Sequence, residues 1–209
     1  MFRVKICGLT RPEDVKACVR AGVDAVGFQM SLGPRKITPS RAAALGRFVP
    51  KGILKVGVFV DTPVSRIRRV ARECGFDAVQ LHGEENAAEC AAVGLPVLKG
   101  VRMRNVKTHL HFRAYPVAAL LLDRYNPVLH GGTGQRFDWR WARAATRLHL
   151  PILLAGGLNP DNVADAVRIA RPFGVDTASG VEIRPGVKDS QKIVRFVKRA
   201  RAAFSHGSS

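Results

Sequence analysis

The chain has 209 residues, of which 46% are hydrophobic and 24% charged, with a formal net charge of +18 at pH 7. The length allows one domain with a sizeable core, and the composition excludes a disordered or fibrous chain. No apolar run approaches the ~20 residues that span a bilayer, and the net charge, well beyond the ~2–8 typical of a small domain, keeps nucleic acid and anionic small molecules in play as partners.

The first apolar run, residues 3–7, carries Arg3 and Lys5, which interrupt any signal-peptide core. It ends in Cys7-Gly8 and meets a helix start, with Thr10 as N-cap, Pro12 in the first turn and Glu13 three residues after the cap. Further strand-like runs follow at 25–28, 54–60, 78–81, 97–100, 118–122, 152–155 and 175–177, rich in Val, Ile and Leu as strands covered on both faces require. Between them lie amphipathic helical stretches. Thr38-Pro39, Thr62-Pro63 and Asn159-Pro160 each place a capping side chain before a proline at the first helical position. Arg66, Arg68, Arg69 and Arg72 alternate with Val64, Ile67, Val70 and Cys74, and the last helix repeats the pattern with Lys192, Arg195, Lys198, Arg199 and Arg201. The basic residues thus read as solvated helix faces, without the aromatic interleaving of an RNA-binding surface. Residues 205–209 read as a frayed tail.

Eight strand–helix units over 209 residues predict a single-domain (β/α)8 barrel over residues 1–204, a compact version of the ~250-residue architecture. The rival is a doubly wound open sheet, against which stands the lack of a GxGxxG after the first strand. Cys7, Cys18, Cys74 and Cys90 form no CxxC pair and have no histidine at metal-ligand spacing. The last three fall on apolar helical stripes and read as small core residues, and the whole as reduced thiols in a cytoplasm.

In a barrel, chemistry sits where strands end. Those ends carry Cys7-Gly8, the loop Ser31 to Arg35, Asp61, Gln80-Leu81-His82-Gly83, Asp123 with the loop His130 to Gly134, Gly156-Gly157, and Asp176 with Ser179-Gly180. Gly156-Gly157 and Ser179-Gly180 follow strands 7 and 8, where barrels bind phosphate through backbone N–H groups, and glycine lets an anion approach the backbone. Cys7 and Asp123 come from different strands and could flank one ligand, as a thiolate base and a carboxylic acid. The plain readings stay open beside these: a buried small residue for Cys7, a cap or ion pair for Asp123, a surface arginine for Arg35.

The chain resembles the phosphoribosylanthranilate isomerase family over nearly its whole length. The resemblance rests, in order, on Lys5-Ile6-Cys7-Gly8-Leu9-Thr10, Gly57-Val58-Phe59-Val60, Val79-Gln80-Leu81-His82-Gly83, Leu122-Asp123, Gly131-Gly132-Thr133-Gly134 with Phe137-Asp138-Trp139, Leu154-Ala155-Gly156-Gly157-Leu158 and Ser179-Gly180-Val181-Glu182. It implies a (β/α)8 barrel and an Amadori rearrangement of N-(5-phosphoribosyl)anthranilate to 1-(2-carboxyphenylamino)-1-deoxyribulose 5-phosphate in tryptophan biosynthesis, without cofactor or metal. By the same resemblance Cys7 is the general base and Asp123 the general acid, and Arg35 holds the anthranilate carboxylate. Gly156, Gly157, Ser179 and Gly180 hold the phosphate, His82 lines the pocket, and Asp176 sits near enough to influence Asp123. The chain departs from the family pattern in the loop Gln29 to Lys36, which lacks the usual aromatic segment, and at Ala178, where serine is common.

Two rivals remain. The related histidine-pathway isomerase performs the same rearrangement on an aminoimidazole carboxamide ribotide, but has an aspartate base after strand 1 and a half-barrel repeat not seen here. A basic nucleic-acid-binding protein would explain the charge but not the polar strand ends. The expected partner is a small-molecule substrate, not a membrane or nucleic acid, with the protein a monomer or a homodimer.

Overall fold

Strict in–out alternation along short Val/Ile/Leu strands, each followed by an amphipathic stretch, is satisfied when the strands close on themselves and the helices cover the outside. The computed structural model, which describes residues 2–31, 33–124 and 138–206, shows this. Strands β1 (Val4–Ile6), β2 (Ala25–Gln29), β3 (Leu54–Phe59), β4 (Ala78–Leu81), β5 (Val97–Met103), β6 (Ala119–Arg124), β7 (Ile152–Leu154) and β8 (Gly174–Thr177) form a closed barrel in sequence order. Every pair is parallel, and β8 returns to β1 through Val4↔Val175, Lys5↔Asp176 and Ile6↔Thr177.

Two apolar layers follow from the alternation. Ala25, Val56, Ala78, Leu98, Leu121 and Leu153 fill the barrel interior. Val4, Ile6, Val26, Phe28, Val79, Leu120, Leu122 and Val175 face outward and pack under the helices. The helices are α1 (Pro12–Ala21), α2 (Pro39–Gly46), α3 (Val64–Cys74), α4 (Ala87–Ala92), α5 (Trp139–Ala145), α6 (Val163–Ala170) and α7 (Ser190–His206). Cys18, Cys74 and Cys90 are buried as small core residues, and the α3 arginines point away from its buried stripe of Ile67, Val70, Ala71 and Cys74. No described helix is long and apolar enough to cross a membrane.

Several local expectations give way to tertiary contacts. Thr10 does not cap α1: its hydroxyl donates to the Gly186 carbonyl at 2.5 Å, and Arg11 holds the N-cap position without a side-chain bond. Thr62 likewise turns back to the Val60 carbonyl, leaving Pro63 at the cap of α3. Asn159 accepts from the N–H groups of Asp161 and Asn162, which closes a turn and delays α6 to Val163. Thr38 does cap α2, through the N–H of Arg41 at 3.2 Å.

The fifth unit has no α-helix, only a 3-10 helix at Thr108–Phe112. Its sequence lacks an apolar stripe, and Asn105 and Thr108 capture nearby N–H groups with their side chains. A hairpin that sequence periodicity does not announce, β9 (Glu182–Arg184) and β10 (Val187–Lys188), lies between β8 and α7. Helix α7 runs past residue 204 to His206, with the Ser205 hydroxyl donating to the Arg201 carbonyl. The glycine-rich loop 130–134 and Phe137 lie outside the described residues.

Candidate active site

The parity that fills the barrel interior also aims the polar side chains. Lys5 and Cys7, Gln80 and His82, Gly100 and Arg102, Leu121 and Asp123, Asp176 and Ala178 are each two residues apart, so each pair faces inward on its strand or just beyond it. At the strands' carboxyl ends these inward positions meet around a cavity of about 630 Å³ lined by Cys7, Gln80, His82, Arg102, Asp123, Asp176 and Ala178, with Gln29, Ser31 and Asp61 at other strand ends. That is the size of an ordinary small-ligand site. A larger cavity, about 650 Å³ between α6 and α7, lies against Arg3, Arg171 and Phe204 and contains none of these groups.

Under this cavity lies a buried charge cluster. Lys5 is fully buried, with Nζ 3.0 Å from Asp176 Oδ1 and donating to Gln80 Oε1 at 3.0 Å. Burial alone would lower the Lys5 pKa, but the facing Asp176 carboxylate and Cys7 raise it above the ordinary lysine value. Lys5 is therefore an ammonium. Cys7 lies beside it on the cavity wall. Burial raises the Cys7 pKa above that of an ordinary thiol, Lys5 and Lys188 offset part of the rise, and Asp176 adds to it. A methyl group on Gly27 of β2 would lie 2.6 Å from Cys7 Sγ, so the thiol occupies space that only glycine leaves open.

On the other side of the cavity, His82 and Asp123 meet, with Nε2 3.3 Å from Oδ2. Asp123 Oδ1 accepts from the Arg124 N–H at 2.7 Å. A β-carbon on Gly156 would come within 2.9 Å of that same oxygen and 2.6 Å of the Arg124 nitrogen. Cys7, His82, Asp123 and Asp176 are thus brought to one cavity. Asp176 shares the cavity with Asp123 and makes its ion pair with Lys5.

Arg35 is not among the residues that line the cavity. It lies over Gly8, and its guanidinium donates from Nε to Glu182 Oε1 at 2.8 Å and from Nη2 to Oε2 at 2.6 Å. Glu182 in turn accepts from Lys188 Nζ, which also donates to the carbonyls of Cys7 and Ala178. Burial would raise the Glu182 pKa, but the two cations outweigh it and hold the carboxyl below its usual range.

Gly156, Gly157, Ser179 and Gly180 also stand outside the cavity lining. Gly180 packs directly on the Leu158 carbonyl, which accepts the Thr177 hydroxyl at 2.6 Å, so the turns after β7 and β8 lie side by side. Gly156 and Gly157 both have positive φ, 82° and 79°, and a β-carbon on Gly157 would meet nothing within 4 Å.

Lys5, Gln80, Arg102 and Glu182 are the functional neighbours that motif reading left without a role. A lysine inside a Val/Ile strand is a sequence signal of its own, because a buried charge demands a partner. Among the described residues, no cluster of three or more His, Cys, Asp or Glu side chains could hold a metal ion.

A closed parallel barrel with a thiol and a carboxyl across one cavity at its strand ends defines a (β/α)8-barrel enzyme equipped for proton transfer. A sequence model of the N-(5'-phosphoribosyl)anthranilate (PRA) isomerase family matches residues 4–199. The N-(5'-phosphoribosyl)anthranilate isomerase of Geobacter sp. (strain M21) is 48% identical over 202 residues, 96% of this chain and 98% of that protein. That of Thiobacillus denitrificans is 48% identical over 204 residues, with 96% and 98% covered. A crystal structure of phosphoribosyl anthranilate isomerase from Thermotoga maritima superposes with a TM-score of 0.89 at 39% identity, covering 97% of this chain and all of that one. Another, of the isomerase in complex with reduced 1-(o-carboxyphenylamino)-1-deoxyribulose 5-phosphate, superposes at 0.87 with 37% identity and the same coverage. The chain belongs to the N-(5'-phosphoribosyl)anthranilate isomerase family and is an isomerase.

Proposed function

We propose that this chain performs the family's Amadori rearrangement with Cys7 as general base and Asp123 as general acid, in tryptophan biosynthesis. The observation that carries the assignment is that the Cys7 thiol and the Asp123 carboxyl, from β1 and β6, line the same cavity.

The reaction needs a proton delivered to the ring oxygen bonded to C1′ and a proton removed from the neighbouring C2′. Asp123 delivers its proton to the furanose ring oxygen as the C1′–O bond breaks, and the anthranilate nitrogen lone pair closes a Schiff base at C1′. The Cys7 thiolate then takes the C2′ proton, and the electron pair flows to give an enolamine that tautomerises to the ketone. Lys5 beside Cys7 supplies the positive charge that favours the thiolate. The ring oxygen is too weak a base to take a proton from water, so a positioned acid is needed.

The remaining groups suit a substrate with phosphate at one end and carboxylate at the other. The adjoining turns at Gly156-Gly157 and Ser179-Gly180 present backbone to an anion, with open space above Gly157. Arg35 uses its Nε/Nη2 edge on Glu182 and keeps the other edge for a carboxylate.

The test is incubation with freshly made N-(5-phosphoribosyl)anthranilate, following loss of its fluorescence, with the aminoimidazole carboxamide ribotide run in parallel. The wild type consumes the anthranilate, while Cys7→Ala and Asp123→Asn each lose roughly 10²–10⁴-fold in kcat. Turnover of the ribotide alone, or wild-type rates in either variant, would overturn the proposal.

A further inference from the structure

We propose that Lys5 acts at a distance on the acid: by orienting the Gln80 amide it fixes the His82 ring as its neutral Nε2–H tautomer, which donates to Asp123. This rests on the reading of Asp123 as the acid; it gives Lys5 a second role beside the one toward Cys7 and brings in Gln80, which has none so far.

The argument is one of donors and acceptors. An ammonium has only donors, so the Gln80 atom 3.0 Å from Lys5 Nζ is its carbonyl oxygen. The other end of the amide is then NH2, also only a donor, and it lies 2.9 Å from His82 Nδ1. Nδ1 must therefore carry a lone pair. A neutral imidazole with an unprotonated Nδ1 carries its proton on Nε2, and Nε2 is the atom 3.3 Å from Asp123 Oδ2. Each step follows from the previous one, starting from a lysine buried between Asp176 and Cys7.

One face of the ring packs on β5. A β-carbon on Gly100 of β5 would lie 2.5 Å from His82 Nδ1, so the imidazole stacks directly on that glycine. Among the described residues, the charged groups bonded to His82 are Asp123 at Nε2 and Arg102, which donates to the His82 carbonyl at 3.1 Å; Glu84, Arg104, Lys107 and His111 line a second cavity it borders, and Asp61 and Asp176 line the first.

The consequence concerns the proton on Asp123. An imidazolium at this position would hold the carboxyl as carboxylate and remove its use as an acid. A neutral N–H donor steadies the carboxyl without a net positive charge. Together with the Arg124 N–H on Oδ1, it orients the carboxyl and leaves the remaining lone pairs for the proton to be delivered. Lys5, Gln80 and His82 are positioning residues in this scheme.

The experiment is 15N NMR of the histidine rings in the full-length protein labelled at histidine, with His82 assigned through His82→Gln, read from pH 6.5 to 8.5 alongside kcat and KM. The wild type shows the neutral His82 ring with unprotonated Nδ1 and protonated Nε2. Gln80→Glu keeps the shape and still accepts from Lys5, but it accepts from Nδ1 as well, so His82 becomes an imidazolium and kcat falls roughly 10²-fold with KM little changed. Gln80→Leu, with neither donor nor acceptor, gives a mixture of tautomers. A protonated Nδ1 in the wild type, or an unchanged tautomer in both variants, overturns the proposal. An imidazolium in Gln80→Glu with wild-type kcat overturns the link to the acid, while the assignments of Cys7 and Asp123 are judged separately by Cys7→Ala and Asp123→Asn.

Discussion

Glu182 grips Arg35 through both carboxylate oxygens, at 2.8 and 2.6 Å, across 147 residues of chain. With Lys188 on the same carboxylate, the pair ties the β9–β10 hairpin to the loop after β2 and, through the Cys7 carbonyl, to the end of β1. Glu182 is almost fully buried, so its charge depends on those cations.

Glu182→Gln should therefore weaken substrate binding more than chemistry. Arg35 loses the partner that aims it, while Cys7 and Asp123 keep their places. KM should rise several-fold with kcat near wild type, and urea denaturation should show a loss of roughly 3–5 kcal/mol for breaking a largely buried charge pair. A stability loss with unchanged KM would make Arg35 a strut alone.

A substrate analogue already in the open-chain form needs only the base. Because burial keeps the Cys7 thiol protonated past the ordinary 9.0, kcat/KM for that analogue should climb about tenfold per pH unit through pH 9. Asp123→Asn should process it far better than the closed substrate, and Cys7→Ala should be as impaired on it as on the closed form. An Asp123→Asn variant equally impaired on both forms would make Asp123 a positioning group.

The neighbouring glycines of the β7 turn should fail differently. Alanine at Gly156 pushes against Asp123 Oδ1 and the Arg124 N–H, so kcat should fall. Alanine at Gly157 meets no protein atom within 4 Å, so beyond the roughly 1–2 kcal/mol for a left-handed backbone its effect should appear in KM. Steady-state kinetics on both variants, with phosphate as a competitive inhibitor, separates the two; an unaltered phosphate affinity in Gly157→Ala would remove the turn from the phosphate site.

Stability should fall on the alkaline side. Burial pushes Cys18 up to about 12 from an ordinary 9.0. Above pH 9 the unfolded chain releases the thiol proton while the folded chain keeps it, so the unfolded state gains. The contribution is fully present below pH 9 and is lost as pH rises toward 12, at about 1.4 kcal/mol per pH unit for this group. Urea midpoints from pH 8 to 10.5 should decline less steeply in Cys18→Ala than in the wild type. Parallel slopes would show that Cys18 does not carry the effect.

The barrel and the polar strand ends are legible in the chain alone, because both rest on local periodicity. Alternation of period two decides that Cys7, Gln80, His82, Asp123 and Asp176 point inward once the strands close, and eight such units with Val/Ile/Leu strands have few other ways to bury both faces. Which inward side chain meets which was decided only by the closed sheet. The pairing of β8 with β1 sets Lys5 opposite Asp176, 171 positions away, and the spatial order of strands puts Gln80 and then His82 between Lys5 and Asp123. Thr10 shows the same limit at a helix start: its spacing is that of a cap, but a carbonyl 176 residues away took the hydroxyl. Local sequence sets the direction of a side chain, while ion pairs and proton positions depend on distances that exist only after the chain has closed.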